Sequence, residues 1–385
     1  MSAKGGASEG GVVSAKGGAS GAGRRFVLAG GGSGGHLFPL VAVADALRAE
    51  APGAECIFVG TERGIEARVL PPRGERLELL DVRPIKGGGL GGAARGVARA
   101  AGSLPAAAKL VRSLRPEVVL SVGGYAAGPV SLAARLLGVP LALLEPNSTL
   151  GLTNFVLSPL ASRAYVAFDE VGRRFRPSIV RPFGVPLRPG FEPSPYRPET
   201  GRARLLVLGG SQGAEALNRA LPEAAGELGR ALPGLTIVHQ AGRGRAEAVR
   251  AAYAARGVER VEVLEFSDDL ARLLASADLV VARSGAGTLA ELCAVGRAAL
   301  LVPYPHARDD HQLRNAEALA GAGAAAWLAQ SEATPARIAG ELGAILGSPA
   351  RLATMAAAAA ARGEPGAAGR VARDLLGLAA QRQAA

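Results

Sequence analysis

The densest chemistry in the 385-residue chain lies between residues 278 and 315, DLVVARSGAGTLAELCAVGRAALLVPYPHARDDHQLRN. An apolar run, Leu279 to Ala282, stops at Arg283, Ser284, Gly285, Ala286 and Gly287. Thr288, Leu289, Ala290 and Glu291 then open a run of helix formers. A strand, a glycine turn and a helix start in that order suit an anion. Unpaired N–H groups and the positive dipole end attract a diphosphate, and glycine lets it approach the backbone. Thr288 and Glu291 also have the Thr-x-x-Glu spacing of a capping box, which satisfies helix-start donors without a ligand. The loop that follows favours a site: Tyr304, Pro305, His306, Asp309, Asp310, His311, Gln312 and Asn315 crowd more directional polar groups into it than a connector needs.

Comparable glycine turns occur earlier. RRFVLAGGGSGGHLFP gives a strand, Phe26 to Ala29, a glycine loop and a helix reaching about Glu50. The pattern returns at Val118 to Val122 with Gly123 and Gly124, and at Leu205 to Leu208 with the turn Gly209 to Gly213. Further buried strands are read at ECIFVG ending in Gly60, at Leu141 to Leu144, and at TIVHQAG, VEVLEF and AALLVPY. Strands alternating with helices predict an α/β fold of parallel sheets covered on both faces, with ligands at the carboxyl ends of the strands. Prolines cluster between Pro177 and Pro198, and the strand, glycine loop, helix plan restarts just beyond them. The architecture is therefore read as duplicated, with two Rossmann-like units of residues 24–185 and 186–350 joined by a proline-rich linker. Residues 351–385 are Ala-rich helices that can pack back on the first unit. Residues 1–23 repeat SAKGGAS in a Gly/Ser/Ala background and read as a disordered tail.

Composition narrows the function. The length suits about two domains. A formal charge of +11 and a pI near 10.5 suit an anionic partner: nucleic acid, an acidic membrane or a phosphorylated substrate. No basic run is interleaved with stacking aromatics, which speaks against nucleic acid. Cys56 and Cys293 are far apart in apolar contexts, which excludes a disulfide framework and predicts two buried thiols in a reducing compartment. No run approaches the roughly 18 apolar residues of a spanning helix, and the N-terminus lacks an apolar signal core.

Gly30, Gly32 and Gly35 satisfy GxGxxG after a strand, so an NAD-dependent Rossmann enzyme acting on a sugar nucleotide is an alternative, with Glu62 as its ribose acid. A P-loop is excluded, because no glycine loop is followed by Lys and Ser or Thr. Asp-x-Asp is absent, and the loop of His306, Asp309, Asp310 and His311 lacks a zinc spacing, so no metal is expected. Backbone donors and hydroxyls must then stabilise a diphosphate leaving group.

GGGSGGHLFP, SVGGYAAGP, EPNSTLGLTN, LGGSQGAEALN and RSGAGTLAEL with PYPHARDDHQLRNA stand in the order found in the peptidoglycan N-acetylglucosaminyltransferases that convert lipid I to lipid II, and the chain resembles that family from about Arg24 to Ala325. The resemblance implies a GT-B fold, two Rossmann-like domains across a cleft, with UDP-GlcNAc held mainly by the second and no cofactor. By position it places donor contacts on Ser33, Gly34, Gly35, Asn147, Arg188, Ser211, the backbone of Ser267, the turn Ala286, Gly287, Thr288, Leu289, Ala290 and Glu291, and Gln312. Glu291 would accept from the ribose hydroxyls, Ser211 and the first-loop amides would hold the diphosphate, and Asn147 and Gln312 would bind sugar hydroxyls. His36 is the candidate general base, because the dipole at a helix start disfavours the imidazolium. Tyr125 and Glu145 are acceptor-side candidates.

The resemblance further implies inverting, metal-independent transfer to the 4-hydroxyl of the muramoyl sugar of lipid I, at the cytoplasmic face of the inner membrane. The segment from Lys86 to Arg115 would face that membrane, Lys86, Arg95, Arg99, Lys109 and Arg112 attracting anionic head groups and Leu90, Val97, Leu104 and Leu110 inserting modestly. The chain departs from the family where Glu-Gln-Asn becomes Glu145, Pro146 and Asn147, and where Asn-Pro-Val-Arg becomes Val185, Pro186, Leu187 and Arg188. Ser33 replaces a frequent Thr, and Ser267 a commoner Phe or Ile.

Overall fold

The computed structural model describes residues 23–82, 90–124, 126–199, 201–210, 213–307 and 310–383, with side chains of the helix Leu90–Leu114 described from Gly102 onward. The tail reading of residues 1–22 and the basic positions Lys86, Arg95 and Arg99, with Leu90 and Val97, lie outside what is described.

Seven strands form the first sheet: β1 (Arg25–Gly30), β2 (Glu55–Gly60), β3 (Arg76–Leu79), β4 (Val118–Gly123), β5 (Leu141–Glu145), β6 (Arg163–Val166) and β7 (Val180–Arg181). Their order is β3-β2-β1-β4-β5-β6-β7, and every pair is parallel. The second sheet holds β8 (Ala203–Leu208), β9 (Leu235–Gln240), β10 (Val261–Leu264), β11 (Leu279–Ala282), β12 (Ala298–Leu301) and β13 (Ala325–Trp327) in the order β10-β9-β8-β11-β12-β13, again parallel. The central strands are mostly Val, Leu and Ala, with Ser121 in β4 and Glu145 at the end of β5, and are buried along their whole length, as a parallel sheet between helices requires. This is the two-lobed arrangement that the GT-B resemblance implies.

In each sheet the order reverses between the first strand and its later neighbour, β1 beside β4 and β8 beside β11. A crevice opens at the carboxyl ends at such a point, and all four strands end there in glycine-containing turns. The register of β1 on β4 slips between Ala29 and Gly30, a bulge at the mouth of the crevice.

The chain crosses between lobes twice. After β7 it runs through the proline-rich residues to β8. The helix Ala367–Gln383 then returns to the first lobe, where Val371, Ala372, Leu375, Leu378 and Ala379 join the core formed by Leu37, Leu40, Val43, Ala44 and Leu47 of the helix Gly34–Glu50. Asp374 anchors this return, accepting from the Tyr165 hydroxyl at 2.8 Å and from Arg163 at 3.0 Å. Cys56 and Cys293 are both buried and unpaired, as their contexts suggested, and burial pushes the thiols up to about 11 and about 12.

Candidate active site

The first glycine loop owes its shape to a carboxylate the sequence reading passed over. Glu66, 1% exposed, accepts from the Gly32 N–H at 3.0 Å, the Thr61 N–H at 2.8 Å and the Thr61 hydroxyl at 3.1 Å. A Cβ on Gly31, Gly60 or Gly64 would collide with that carboxylate, so three separate glycines make its room. Gly32 itself needs the left-handed region, φ 91°. Ser33 follows in extended conformation as the cap of the helix Gly34–Glu50, and its side chain makes no capping bond, so the first-turn donors keep no side-chain partner. Ser33 and Gly35 are exposed and Gly34 partly so, open to an anion.

His36 stands in that first turn, half-buried, with Nδ1 3.3 Å from the Gly31 carbonyl oxygen. A carbonyl only accepts, so this bond needs the proton on Nδ1 and makes Nε2 the basic nitrogen. Glu62, the acid required by a dinucleotide reading, is exposed, and the carboxylate that meets the loop is Glu66, one turn further on. The second glycine turn lies against the first: a Cβ on Gly124 would come 3.1 Å from the Gly31 oxygen. Tyr125, next to it, lies outside the described residues.

Glu145 ends β5 and is buried. Burial raises its carboxyl pKa, against the hydrogen bonds it accepts from the Gly151 N–H at 3.0 Å, the Asn154 amide at 3.0 Å, and the Asn147 N–H and amide at 3.2 Å. Glu145 thus folds the loop after β5 around itself and orients Asn147. The Asn147 oxygen accepts from Asn315 of the second lobe at 3.3 Å, so both ends of the Asn147 amide are engaged.

In the second lobe the strand, turn, helix reading holds at β11, but the capping box does not form. The helix starts earlier, at Ala286, because Gly285 takes the extended cap conformation, φ −66° and ψ 140°. Thr288 and Glu291 therefore lie inside the helix and cap nothing. The first backbone bond at this end is Leu289 N–H to Gly285, which leaves the N–H groups of Ala286, Gly287 and Thr288 without a partner in the helix. Glu291 keeps part of its surface open. Desolvation by the surrounding protein pushes its carboxyl up to about 7, with the Arg188 charge pulling the other way. No hydrogen bond from a described residue reaches that carboxylate.

Arg188, exposed, lies over the Phe191 ring at 5.5 Å, on the segment leading from the first lobe. Ser267 is part-buried in the loop after β10, its hydroxyl accepting from the Asp269 N–H at 3.2 Å, and the neighbouring Phe266 is exposed. Gln312 opens the helix His311–Gly321 and accepts from the Tyr304 N–H at 3.0 Å. Two residues beside the assigned ones hold this turn together. Buried Ser284 donates to the Gln312 carbonyl at 2.7 Å, and Arg283 donates to the carbonyls of Val302 and Pro303 and to Gln330. Ser211 lies outside the described residues, as does Asp309; among those described no group of three metal-ligating side chains forms.

The lobes meet here. The two glycine-opened helices, Gly34–Glu50 and Ala286–Val295, touch across the cleft. Behind it a cavity of about 340 Å³ opens beside the linker, lined by Val185 and Leu187 from one side and Ala286, Leu289 and Cys293 from the other. The arrangement suits a ligand with a diphosphate between helix starts and vicinal hydroxyls at Glu291.

Two family models match the chain: the glycosyltransferase family 28 N-terminal domain over residues 26–166 and its C-terminal domain over 204–371. A Sorangium cellulosum protein named UDP-N-acetylglucosamine--N-acetylmuramyl-(pentapeptide) pyrophosphoryl-undecaprenol N-acetylglucosamine transferase is 57% identical over 348 residues, 90% of this chain and 86% of its own. A protein of the same name from Syntrophotalea carbinolica is 46% identical over 88% of this chain and 94% of its own. The crystal structure of Acinetobacter baumannii MurG superposes with a TM-score of 0.76 at 32% identity, covering 92% of this chain and 99% of that one.

Proposed function

The chain belongs to glycosyltransferase family 28, and we propose that it transfers N-acetylglucosamine from UDP-GlcNAc to the 4-hydroxyl of the muramoyl sugar of lipid I, giving lipid II for peptidoglycan. The observation that carries the reading on this chain is Glu291: a carboxylate that no described residue donates a hydrogen bond to, on a helix whose starting N–H groups lack a side-chain cap from Gly285. A uridine diphosphate supplies what each lacks, ribose hydroxyls to the carboxylate and anionic oxygens to the helix start. The NAD-dependent alternative has no support, since its ribose acid is exposed and both family models are of a glycosyltransferase.

In this mechanism Nε2 of His36 takes the proton of the acceptor 4-hydroxyl as that oxygen attacks the anomeric carbon. The bond from that carbon to the β-phosphate oxygen breaks with its electron pair leaving on UDP, and the configuration inverts from α to β. Negative charge growing on the diphosphate is met by the helix-start donors at Ser33 to Gly35 and at Ala286 to Thr288, with Arg188 close to the same carboxylate pocket. No metal is called on. Asn147 and Gln312 turn to the sugar hydroxyls, and Glu145 keeps the acceptor-side loop in shape.

The acceptor is lipid-borne, so the protein works as a peripheral partner of an anionic membrane, at the cytoplasmic face of the inner membrane. The helices Leu90–Leu114, Ala127–Leu136 and Leu152–Leu157 pack in succession. They and the turn after them expose Leu136, Leu152, Phe155, Val156 and Leu160, with Lys109 and Arg112 exposed on the first helix. Apolar groups edged by cations suit insertion beside acidic head groups. Among the described residues no single helix is long and apolar enough to cross a membrane.

The deciding assay follows radiolabel from UDP-GlcNAc into a short-chain lipid I analogue, with and without EDTA. β-Linked disaccharide product at equal rates in both supports the reading. Label staying on UDP-GlcNAc, or transfer lost in EDTA, counts against it.

A further inference from the structure

One peptide group in the first lobe is held from both sides. The Gly32 N–H of the Gly31–Gly32 peptide donates to Glu66 Oε2 at 3.0 Å, and the Gly31 carbonyl of the same peptide accepts from His36 Nδ1 at 3.3 Å. A rigid planar amide thus stands between a buried carboxylate and an imidazole. From this geometry we infer that Glu66 is a positioning residue for His36: acting through the Gly31–Gly32 peptide, it sets the ring's orientation and keeps its proton on Nδ1, so that Nε2 faces the reaction as the base. This rests on the reading of His36 as general base.

Three observations favour this over a carboxylate that merely fills space. Glu66 receives only donors, two N–H groups and one hydroxyl, so its site demands a group with no hydrogen of its own to give. Gln would turn an amide N–H against one of them. Among the described residues no cation forms an ion pair with it, so its negative charge is spent on the loop. Gly31 of the first loop, with Gly60 and Gly64 at the end of β2 and in the turn after it, leaves it room. A carboxylate accepting from one end of an amide also makes the carbonyl at the other end a stronger acceptor. The logic is that of the outer carboxylate behind a metal-ligating or catalytic histidine, which fixes the tautomer through hydrogen bonding, here with a peptide group inserted.

Nitrogen-15 NMR of the full-length protein labelled at its four histidines tests this without relying on turnover. The His36 signals are identified by their loss in His36→Gln. The neutral ring should carry its proton on Nδ1 in the wild type and shift toward Nε2–H or a mixture in Glu66→Gln. An Nε2–H tautomer in the wild type overturns the proposal, and does so even if Glu66→Gln does not fold. So does an unchanged tautomer in a folded Glu66→Gln. In turnover, Glu66→Gln should lower kcat by about 10- to 100-fold with little change in KM for UDP-GlcNAc, and should add no further loss in a His36→Ala background. An equal loss in both backgrounds would mean Glu66 acts on the loop and not through His36. If His36→Ala alone keeps a near-wild-type rate, His36 is not the base, while the tautomer spectra still decide whether Glu66 positions the ring.

Discussion

Asn315 and Ser148 lie 167 residues apart in the chain, yet the Asn315 side-chain oxygen accepts from the Ser148 N–H at 2.9 Å and from the Ser148 hydroxyl at 2.8 Å. The Asn315 amide donates to Asn147 at 3.3 Å and to the Ser284 carbonyl at 3.1 Å. One fully buried side chain of the second lobe therefore ties the loop after β5 in the first lobe to the turn after β11. In this arrangement the contact between the lobes also holds Asn147.

Asn315→Ala should loosen that tie. Leaving the Ser148 N–H unpaired costs about 1–3 kcal/mol, so kcat/KM should fall by about 5- to 150-fold, and small-angle scattering should report a more open particle. Wild-type kinetics with unchanged scattering would remove Asn315 from closure.

If the ribose hydroxyls sit on Glu291 as proposed, donor binding should depend on pH. Its carboxyl is raised from 4.5 to about 7, so in the free protein this group favours the fold below 4.5, and that contribution is lost as pH rises from 4.5 through about 7. Ribose hydroxyls donate and so favour the ionised form. Affinity for UDP-GlcNAc should therefore climb as pH rises to about 7 and level above it. Glu291→Gln should melt higher than wild type at pH 8 without ligand, bind UDP-GlcNAc at least tenfold more weakly there, and lose the pH dependence. Calorimetry across pH 5.5 to 8.5 and thermal melts read both.

His36→Ala should reduce kcat by roughly 10² to 10⁴, with donor affinity and melting temperature nearly unchanged, since the ring is only half-buried. Steady-state kinetics with a soluble acceptor measures it.

Phe155→Asp with Val156→Asp should abolish sedimentation with anionic vesicles while turnover of a short-chain acceptor persists. Lys109→Glu with Arg112→Glu should weaken binding at low salt by about 1 kcal/mol for each positive charge removed. Undiminished sedimentation of the first variant would place the membrane face elsewhere.

What was legible in the sequence was what is local. The central strands are mostly apolar runs, broken in β4 only by Ser121, and each glycine turn follows its strand directly, so β1, β4, β8 and β11 and the glycine loops after them could be read in place. The short strands were not: Val180–Arg181 is two residues long, Arg76–Leu79 half charged, and both take their form from a neighbour across the sheet. Thr288 and Glu291 had capping spacing, but spacing does not say where a helix begins, and Gly285 moved that point back. Glu66 escaped because it meets Gly32 across 34 residues, through a fold that brings three glycines around it. Its signal was the second acid in GTERGIE, one turn beyond the Glu62 that the dinucleotide pattern singled out. Asn315 was visible as one polar residue in a crowded loop, and its bridging role is a property of two lobes together.

The account stands or falls on where the nucleotide sits, and a crystal structure of the UDP-GlcNAc complex measures that directly. The ribose hydroxyls should lie within hydrogen-bonding distance of Glu291, with the diphosphate over the helix start at Ala286 to Thr288 and the anomeric carbon turned toward His36. Uridine bound away from Glu291, or a diphosphate touching neither helix start, would contradict it.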